Sequence, residues 1–367
     1  MILYGAGELG KLAHQFLDFY NIEHIVCDDN PENYMHDSFW VGKPIFKLSN
    51  LSIDLLNTSL LVCISTASYN TIRQKLNNKG FTNVKPFFQV AEEINKANAY
   101  KHPCTNGWKI KNHSEYTYDV IESSFKDTYS KYAYAQFFDW HNDYTEFINN
   151  DFPINCNDRY FIPEVLDVLH DNEVFIDVGA YDGRVTKKFI EIVRGKYEHI
   201  HMFEPTDSMC VSYEKIYKYN YALGDTEDKF INFNKEQGYL CKVDKLSKEK
   251  VGILRLDNLE LTPTFIKYHL EGYELKAIKG SIKTIKKHRP IITVTTYHTE
   301  EGLYKLPMYL IKNLKDYNFY WRNHNYQGQG AVMYCIPKER WSISFSTTIH
   351  VNDNWQVYQD LKKWAGL

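Results

Sequence analysis

The stretch Val174-Phe175-Ile176-Asp177-Val178-Gly179-Ala180-Tyr181-Asp182-Gly183 decides the fold of the chain. Three apolar residues lead into an acidic residue, two glycines follow four positions apart, and Arg184 to Arg194 has a helical pattern. This order predicts a strand, a tight glycine loop and a helix. Glycine has no Cβ and tolerates positive φ, so such a loop lets a ligand approach backbone N–H groups. The alternative is a plain tight turn of an α/β sheet.

A second acidic residue follows the next predicted strand, His199 to Phe203, which ends in Glu204-Pro205. An acid at this place accepts hydrogen bonds from ribose hydroxyls. The loop lacks the dinucleotide pattern G-x-G-x-x-G, and its carboxylates would repel a pyrophosphate. A ligand with an ammonium group and a ribose but no phosphate fits better, and S-adenosylmethionine (SAM) is such a ligand. The predicted cofactor-binding residues are Asp177, Gly179, Ala180, Tyr181, Asp182, Gly183, Glu204, Pro205 and Asp225.

Composition limits the classes of function. A chain of 367 residues predicts two domains, and a net charge of −3 provides no basic surface for nucleic acid. No apolar run approaches 18 residues, which argues against membrane insertion. The seven cysteines are scattered without a C-x-x-C pair, and the chain starts with a strand pattern rather than a signal peptide. We therefore expect a cytoplasmic protein with reduced thiols, and homo-oligomerisation stays open.

Residues 1–88 carry a different nucleotide motif. The pattern G-x-G-x-x-G, from Gly5 to Gly10, follows the short strand Ile2-Leu3-Tyr4 and precedes an amphipathic helix. Acidic residues follow the second strand at Asp28-Asp29-Asn30, about 20 positions on, as the dinucleotide fingerprint requires. The residues leave three interpretations open: an NAD(P) site, a site for another nucleotide, or a purely structural domain.

The stretch Tyr4-Gly5-Ala6-Gly7-Glu8-Leu9-Gly10-Lys11, together with Asp29-Asn30-Pro31, resembles the N-terminal nucleotide-sugar-binding domain of bacterial sugar acyltransferases. This resemblance covers about 85 residues. It implies a Rossmann-like domain that binds a nucleotide-linked sugar. The residues that it places near this substrate are Gly5, Gly7, Asp29 and Asn30.

The rest of the chain divides into three predicted parts. Residues 89–160 lose the strand pattern and are interpreted as a helical connector, residues 161–340 as a second α/β domain, and residues 341–367 as a tail. Within the second domain, Tyr317 to Asn323 and Ala331 to Ile336 predict a final antiparallel pair. The stretch Tyr219 to Asp225 predicts a strand with a turn at the carboxyl edge of its sheet.

A series of motifs runs through residues 161–340 in this order: Asp177-Val178-Gly179-Ala180-Tyr181-Asp182-Gly183, Phe203-Glu204-Pro205, Ala222-Leu223-Gly224-Asp225, Ile266-Lys267, Glu271-Gly272-Tyr273-Glu274, Lys279-Gly280 and Tyr297-His298. The series resembles the FkbM-type family of SAM-dependent methyltransferases. The resemblance implies a seven-stranded class I methyltransferase sheet with an antiparallel last strand. It also implies an enzyme that methylates hydroxyl groups, often those of sugars. One position departs from the family pattern, because His269 stands where the family usually has Asp.

Methylation of a hydroxyl benefits from a general base, and histidine is the usual choice. His298 and His269 both follow predicted strands that border one cleft. We predict His298 as the base, and His269 as a second candidate or as a group that orients the acceptor. Glu271 is the third predicted catalytic residue, and helix capping is its alternative role. A divalent ion held by these three residues and Glu300 is conceivable but not favoured, so we predict no metal.

The sequence thus predicts a two-domain α/β enzyme with two Rossmann-like domains. The expected reaction is SAM-dependent O-methylation of a nucleotide-linked sugar for a bacterial surface polysaccharide. One alternative is an NAD(P)-dependent oxidoreductase that uses the first glycine motif. The other is a non-catalytic SAM-binding scaffold, suggested by His269 at the position of the family carboxylate.

Overall fold

The structure is a computed structural model that describes residues 1–98, 108–111, 114–147, 149–234, 242–243 and 247–341. Apart from Trp341, the predicted tail at 341–367 lies outside these residues. The chain forms two compact units. The first unit comprises Met1–His113, Ala135–Cys156 and Asn325–Gln329, and the second comprises Ser114–Tyr134, Asn157–His324 and Gly330–Leu367. The segment interpreted as a connector, 89–160, is thus divided between the units.

The first unit is built on a parallel five-stranded sheet in the order β3-β2-β1-β4-β5. Its strands read as short continuous apolar runs because parallel sheets are covered on both faces. The strands are β1 Ile2–Tyr4, β2 Ile25–Asp28, β3 Ile45–Lys47, β4 Leu60–Val62 and β5 Val84–Pro86. The helices are α1 Glu8–Phe19, α2 Tyr69–Asn78 and α3 Phe87–Ala97.

The second unit contains a seven-stranded sheet in the order β15-β16-β14-β13-β6-β7-β8. All neighbours pair in parallel except β16, which is antiparallel to both β14 and β15. The strands are β6 Val174–Val178, β7 His199–Phe203, β8 Ile216–Tyr219, β13 Phe265–Tyr268, β14 Ile291–Thr295, β15 Tyr317–Asn323 and β16 Ala331–Pro337. The predicted fold class, with two Rossmann-like domains and an antiparallel last strand, is confirmed.

One strand prediction was wrong. The stretch Tyr219 to Asp225 is not a single strand, because β8 ends at Tyr219 and a new strand begins at Tyr221. The new strand joins a separate four-stranded sheet in the order β11-β10-β12-β9. Its members are β9 Tyr221–Leu223, β10 Phe230–Asn234, β11 Lys242–Val243 and β12 Lys250–Leu254. Their core contains Ala222, Phe233, Val251 and Ile253.

The remaining helices are α4 Glu115–Ser124, α5 Thr128–Asp143, α6 Pro163–Leu166, α7 Arg184–Ile192, α8 Glu274–Lys279, α9 Ile282–His288, α10 Glu300–Leu303 and α11 Lys305–Asn313. Helix α5 continues across the boundary between the units. The residues from Leu275 to Lys287 have the pattern of one continuous helix, but α8 ends before Gly280 and α9 begins at Ile282. A Cβ on Gly280 would lie 1.8 Å from the carbonyl oxygen of Gly224, so this close contact accepts only glycine.

Three phenylalanines fix the alignment of the central strands in the second unit. The rings of Phe175 on β6 and Phe189 on α7 lie 4.5 Å apart, and those of Phe175 and Phe265 on β13 lie 4.9 Å apart. All three side chains are fully buried. Each contributes roughly 1.5–3 kcal/mol through removal from water. This packing sets the level at which β6 and β13 end.

Candidate active site at the carboxyl edge of the second sheet

Four adjacent parallel strands of the second unit end at the same level. Val178 of β6 pairs with Phe203 of β7 and with Tyr268 of β13, and Tyr268 pairs with Val294 of β14. Ligands of open α/β sheets bind beyond the carboxyl ends of such strands. The segments that follow these four strands carry most of the predicted site residues, and the fold brings them together.

The glycine loop after β6 needs glycine because of its packing. Gly179 and Gly183 have φ values of +74° and +81°, and a Cβ at Gly179 would lie 1.8 Å from the carbonyl oxygen of His269. The N–H groups of Gly179 and Ala180 donate to the carbonyl of Phe203 at 2.9 and 3.1 Å. These two amides therefore attach the loop to β7. The loop is as tight as predicted, but its first amides do not face a ligand.

Asp177 supports this loop from beneath. Its side chain is fully buried, with Oδ1 2.9 Å from Nζ of Lys267, and Thr186 Oγ1 donates to Oδ2 at 2.7 Å. Lys267 Nζ also donates to the carbonyl of Gly179 at 2.7 Å. The ion pair therefore fixes the position of the loop. Lys267 was part of the resemblance, but the sequence assigned it no role, because its partner lies 90 positions away.

Glu204 lies directly after β7 at the edge of the loop. Its Oε2 accepts a hydrogen bond from the N–H of Tyr181 at 3.0 Å, and its Oε1 accepts from the N–H and Oγ1 of Thr206 at 3.1 and 2.9 Å. A carboxylate offers about four acceptor positions, so one remains for a ribose hydroxyl. The residues present fit the predicted cofactor at this point.

The other two predicted cofactor acids, Asp182 and Asp225, differ in their contacts. Asp182 accepts hydrogen bonds from Nε and Nη2 of Arg184 at 3.1 and 2.8 Å. These bonds hold the pKa of Asp182 below its ordinary value. Asp225 follows β9, and its carbonyl accepts from Arg255 Nη1 at 2.8 Å. Because β9 belongs to the small sheet, Asp225 does not follow a strand of the main sheet, and that prediction was wrong.

The predicted catalytic residues form one cluster. His269 and Glu271 follow β13, and His298 follows β14. Nε2 of His269 lies 3.0 Å from Oε1 of Glu271, and Nε2 of His298 lies 3.4 Å from Oε2 of the same carboxylate. Glu271 thus lies between the two imidazoles. Its pKa is held below the ordinary range because the two histidines outweigh the effect of burial.

His298 does not fit the role of general base that the sequence predicted for it. Its Nδ1 lies 2.7 Å from Oε1 of Glu274, and only 2 % of its side chain is exposed. Burial alone would lower its pKa, but the carboxylates of Glu271 and Glu274 raise it to about 10. At neutral pH this residue is an imidazolium without a free lone pair, so it cannot accept a proton.

His269 has a free lone pair and partial exposure, which a general base needs and which His298 lacks. Burial lowers its pKa to about 4, so the ring is neutral at physiological pH. Nε2 faces Glu271 and carries the proton, which leaves the lone pair on Nδ1. Oη of Tyr160 lies 2.7 Å from Nδ1, and Oη of Tyr297 lies 3.3 Å from Nε2. With 23 % of its side chain exposed, His269 is the most accessible member of the cluster.

Sequence reasoning missed two supporting residues. Glu274 anchors the turn after β13 by accepting from the N–H groups of Leu270 and Gly272 at 2.9 and 3.0 Å. It belongs to the Glu-Gly-Tyr-Glu motif, so its motif position could have revealed it. Tyr160 contacts His269 across 109 positions of sequence, and no local pattern identifies it.

The cluster also has metal-ligand chemistry. His269, Glu271 and His298 each offer one ligand atom within 4.8 Å of the others. Glu300, the fourth residue of the possible ion site in the sequence, is not part of this group. The absence of a metal stays a prediction.

The charge on His298 predicts a dependence of stability on pH. Its pKa is about 10 in the folded chain, against an ordinary value of 6.5. The charged His298 therefore stabilises the folded state. Its contribution to the free energy of unfolding is fully present below about pH 6.5 and is lost as the pH rises towards 10. Urea unfolding of the wild type and of His298→Gln measures it: the difference in free energy of unfolding should shrink between these pH values. His36→Gln, at an exposed histidine, is the control. A constant difference would contradict the charged state.

The glycine motif of the first unit is held by its own contacts. A Cβ at Gly5 would lie 2.6 Å from Cγ1 of Ile64, and one at Gly10 would lie 2.0 Å from the carbonyl oxygen of Gly5. A Cβ at Gly7 meets only Oη of Tyr34, at 3.8 Å. Gly5 and Gly10 are therefore required for packing, whereas the space next to Gly7 is open enough for a ligand to approach the backbone.

The acidic residues after β2 are partly engaged. Asp29 accepts a hydrogen bond from Oη of Tyr4 at 2.7 Å and forms an ion pair with Lys75. Asn30 donates its N–H to Asp28 at 2.9 Å. Asp28, which was not among the predicted substrate-binding residues, ends β2 and accepts from the N–H of Ala6 in the glycine loop at 3.0 Å. Asp28 therefore fixes the loop, and Asp29 borders it.

Among the described residues, no helix combines the length and apolar character needed to cross a membrane.

Comparisons with known proteins find two similarities. Residues 177–327 match the family model of the methyltransferase FkbM domain. The fold is similar to the crystal structure of methyltransferase FkbM from Methylobacillus flagellatus KT, with a TM-score of 0.61 and 18 % identity over 91 % of this chain and 89 % of that chain. No curated protein matches the sequence. Neither similarity supports the resemblance of the first unit to sugar acyltransferases. Residues 177–327, which form most of the second unit and contain the predicted catalytic cluster, are thus similar to the methyltransferase FkbM domain.

Proposed function

We propose that the protein is a SAM-dependent O-methyltransferase. The observation that carries this proposal is the position of His269, whose carbonyl lies so close to Gly179 that a Cβ there would be 1.8 Å away. The proposed base thus adjoins the proposed cofactor loop. The FkbM domain supports the same activity. Bound SAM supplies a methyl group on a sulfonium centre that is already activated for displacement.

The chain itself aligns the acceptor and removes its proton. The acceptor hydroxyl donates to Oη of Tyr160, which in turn donates to Nδ1 of His269. Burial raises the pKa of Tyr160, so this residue passes a proton rather than existing as a phenolate. Glu271 accepts from Nε2 of His269 and stabilises the imidazolium that forms. His298 holds Glu271 in place through its fixed positive charge.

We further propose a nucleotide-linked sugar as the acceptor, for a bacterial surface polysaccharide. The open face at Gly7 and the carboxylate of Asp29 give the first unit a surface suited to a nucleotide. Gly5 lies in the glycine motif and Asn30 follows β2, so we expect both to lie near the nucleotide. Such a substrate is made in the cytoplasm, and we place the protein there.

Replacing Glu204 tests the cofactor site. S-adenosylhomocysteine at about 100 times its Kd stabilises the native state by roughly 2.7 kcal/mol, which raises Tm by several degrees. Glu204→Ala should abolish this shift because the ribose loses its acceptor. Glu198→Ala is the matched control, since Glu198 precedes β7 at its opposite end and is exposed. Differential scanning fluorimetry measures the shift. A shift with NAD but none with S-adenosylhomocysteine would overturn the proposal in favour of an oxidoreductase.

Gly7→Leu tests the first unit. The φ of Gly7 is −70°, which any residue adopts, and the space around it is open, so the fold should tolerate the change. Affinity for nucleoside-diphosphate sugars should fall at least tenfold, about 1.4 kcal/mol, with S-adenosylhomocysteine binding unchanged. Calorimetric titration measures both, and Gly7→Ala is the smaller control. An equal loss of both ligands would show that the units do not divide the work in this way.

A further inference from the structure

A second group of metal-ligating side chains lies in the first unit, at the edge opposite the glycine motif. His14 and Asp18 occupy positions four apart on α1 and therefore share one face of the helix. His24 stands directly before β2. One ligand atom from each residue lies within 4.8 Å of the other two. No sequence signal marks this group, because the spacing His-x-x-x-Asp is common on solvated helices.

The hydrogen bond that His24 makes on its outer side fixes its tautomer. Nδ1 of His24 lies 2.8 Å from the carbonyl oxygen of Ile22, which can only accept, so Nδ1 carries the proton. The lone pair of a neutral His24 is then on Nε2. Metal-ligating histidines characteristically donate their other N–H to a backbone carbonyl in this way.

The lone pair of His24 points at His14, and the neutral cluster holds fewer N–H protons than its close contacts require. Nε2 of His24 lies 2.6 Å from Nδ1 of His14 and 3.9 Å from Oδ1 of Asp18, and Nε2 of His14 lies 3.2 Å from Oδ2 of Asp18. A neutral imidazole has one N–H, so His14 can donate either to Nε2 of His24 or to Oδ2 of Asp18, but not to both. The other contact places two lone pairs face to face. A cation between the three side chains removes this conflict.

Neighbouring side chains hold the two imidazoles in place, and an open cavity gives access to the three ligand atoms. The ring of His14 packs against Trp40 with centroids 5.3 Å apart, and only 4 % of the His24 side chain is exposed. All three residues line an open cavity of about 890 Å³ with Asn21, Glu23 and Leu55. Rigid imidazoles on one side and a cavity on the other resemble the three-ligand sites that keep a coordination position open.

We propose that His14, Asp18 and His24 bind a divalent transition-metal ion, with Zn²⁺ as the ion that this donor set favours. Two imidazoles and one carboxylate are borderline ligands of the kind that zinc takes, at distances of about 2.0–2.2 Å. Small rotations of the side chains bring the three donor atoms onto one ion. The site is separate from the glycine motif, which lies at the carboxyl ends of the same strands.

Zinc titration of the full-length, untagged and chelator-stripped protein tests the proposal. Isothermal calorimetry and elemental analysis should find one tightly bound Zn²⁺ per chain that depends on this cluster. Asp18→Asn should weaken binding by more than the roughly 10–100-fold that the loss of a supporting hydrogen bond costs. The Asp18 side chain is 58 % exposed, so this variant should fold. His24→Gln, checked by circular dichroism, should also lose the ion.

Two control variants locate the ion. His36→Gln changes an exposed histidine in the same unit and should bind Zn²⁺ as the wild type does. His269→Gln changes the other histidine cluster and should also retain the ion. If Asp18→Asn and His24→Gln bind Zn²⁺ like the wild type, or if only His269→Gln loses it, the proposal is overturned. An absence of binding to the wild type would equally overturn it, and would indicate that a protonated His14 bridges Asp18 and His24.

Discussion

His269→Gln should lower kcat by roughly 10²–10⁴-fold, the range that a positioned general base contributes. The affinity for S-adenosylhomocysteine should not change, because the contact of this residue with Gly179 is made by its backbone carbonyl. Initial rates and calorimetric titration measure the two quantities. His201→Gln is a matched control: His201 is also buried with a pKa lowered to about 4, but it lies within β7 rather than at its end.

The pH profile separates the two candidate bases. With His269 as the base, kcat/KM should be constant from about pH 5.5 to 9 and fall as the pH approaches 4, because protonation removes the lone pair. With His298 as the base, activity would rise only as the pH approaches 10.

Tyr160→Phe keeps the ring but removes the hydroxyl next to His269. A loss of kcat similar to that of His269→Gln would place Tyr160 in the proton path, and full activity in either variant would refute the relay.

Lys267→Met should destabilise the second unit by about 3–5 kcal/mol, because it leaves the carboxylate of Asp177 buried without a partner. For a unit of this size the Tm should fall by roughly 10 °C. Urea unfolding and calorimetry measure the change. Lys305→Met is the matched control, since it removes an exposed ion pair with Glu301 and should leave Tm unchanged.

A double variant tests the physical cause. Asp177→Asn combined with Lys267→Met removes both charges, so it should recover much of the stability lost in the single variant. The ammonium of Lys267 also holds the carbonyl of Gly179. S-adenosylhomocysteine affinity should therefore stay below that of the wild type even where stability recovers. A single variant as stable as the wild type would show that the pair contributes nothing.

The sequence alone determined the type and order of the local units. Strand, glycine loop and helix could be predicted at both Gly5 and Gly179 because these signals lie within about a dozen consecutive residues. The antiparallel end of the second sheet followed from two apolar runs joined by a glycine-rich turn. Helix and strand ends shifted by several residues, as at Gly280, where the backbone of Gly224 comes too close for a Cβ.

Only the tertiary structure decided what the site residues do. His298 changes from a base to a fixed cation because Glu271 and Glu274 face it from another strand end. Asp177 supports the glycine loop through Lys267, a partner that the neighbouring strand supplies and that no local pattern identifies. Protonation and ion pairing depend on charges within a few ångströms, and strand order brings such charges together from positions tens of residues apart. A local pattern contains no information about that proximity.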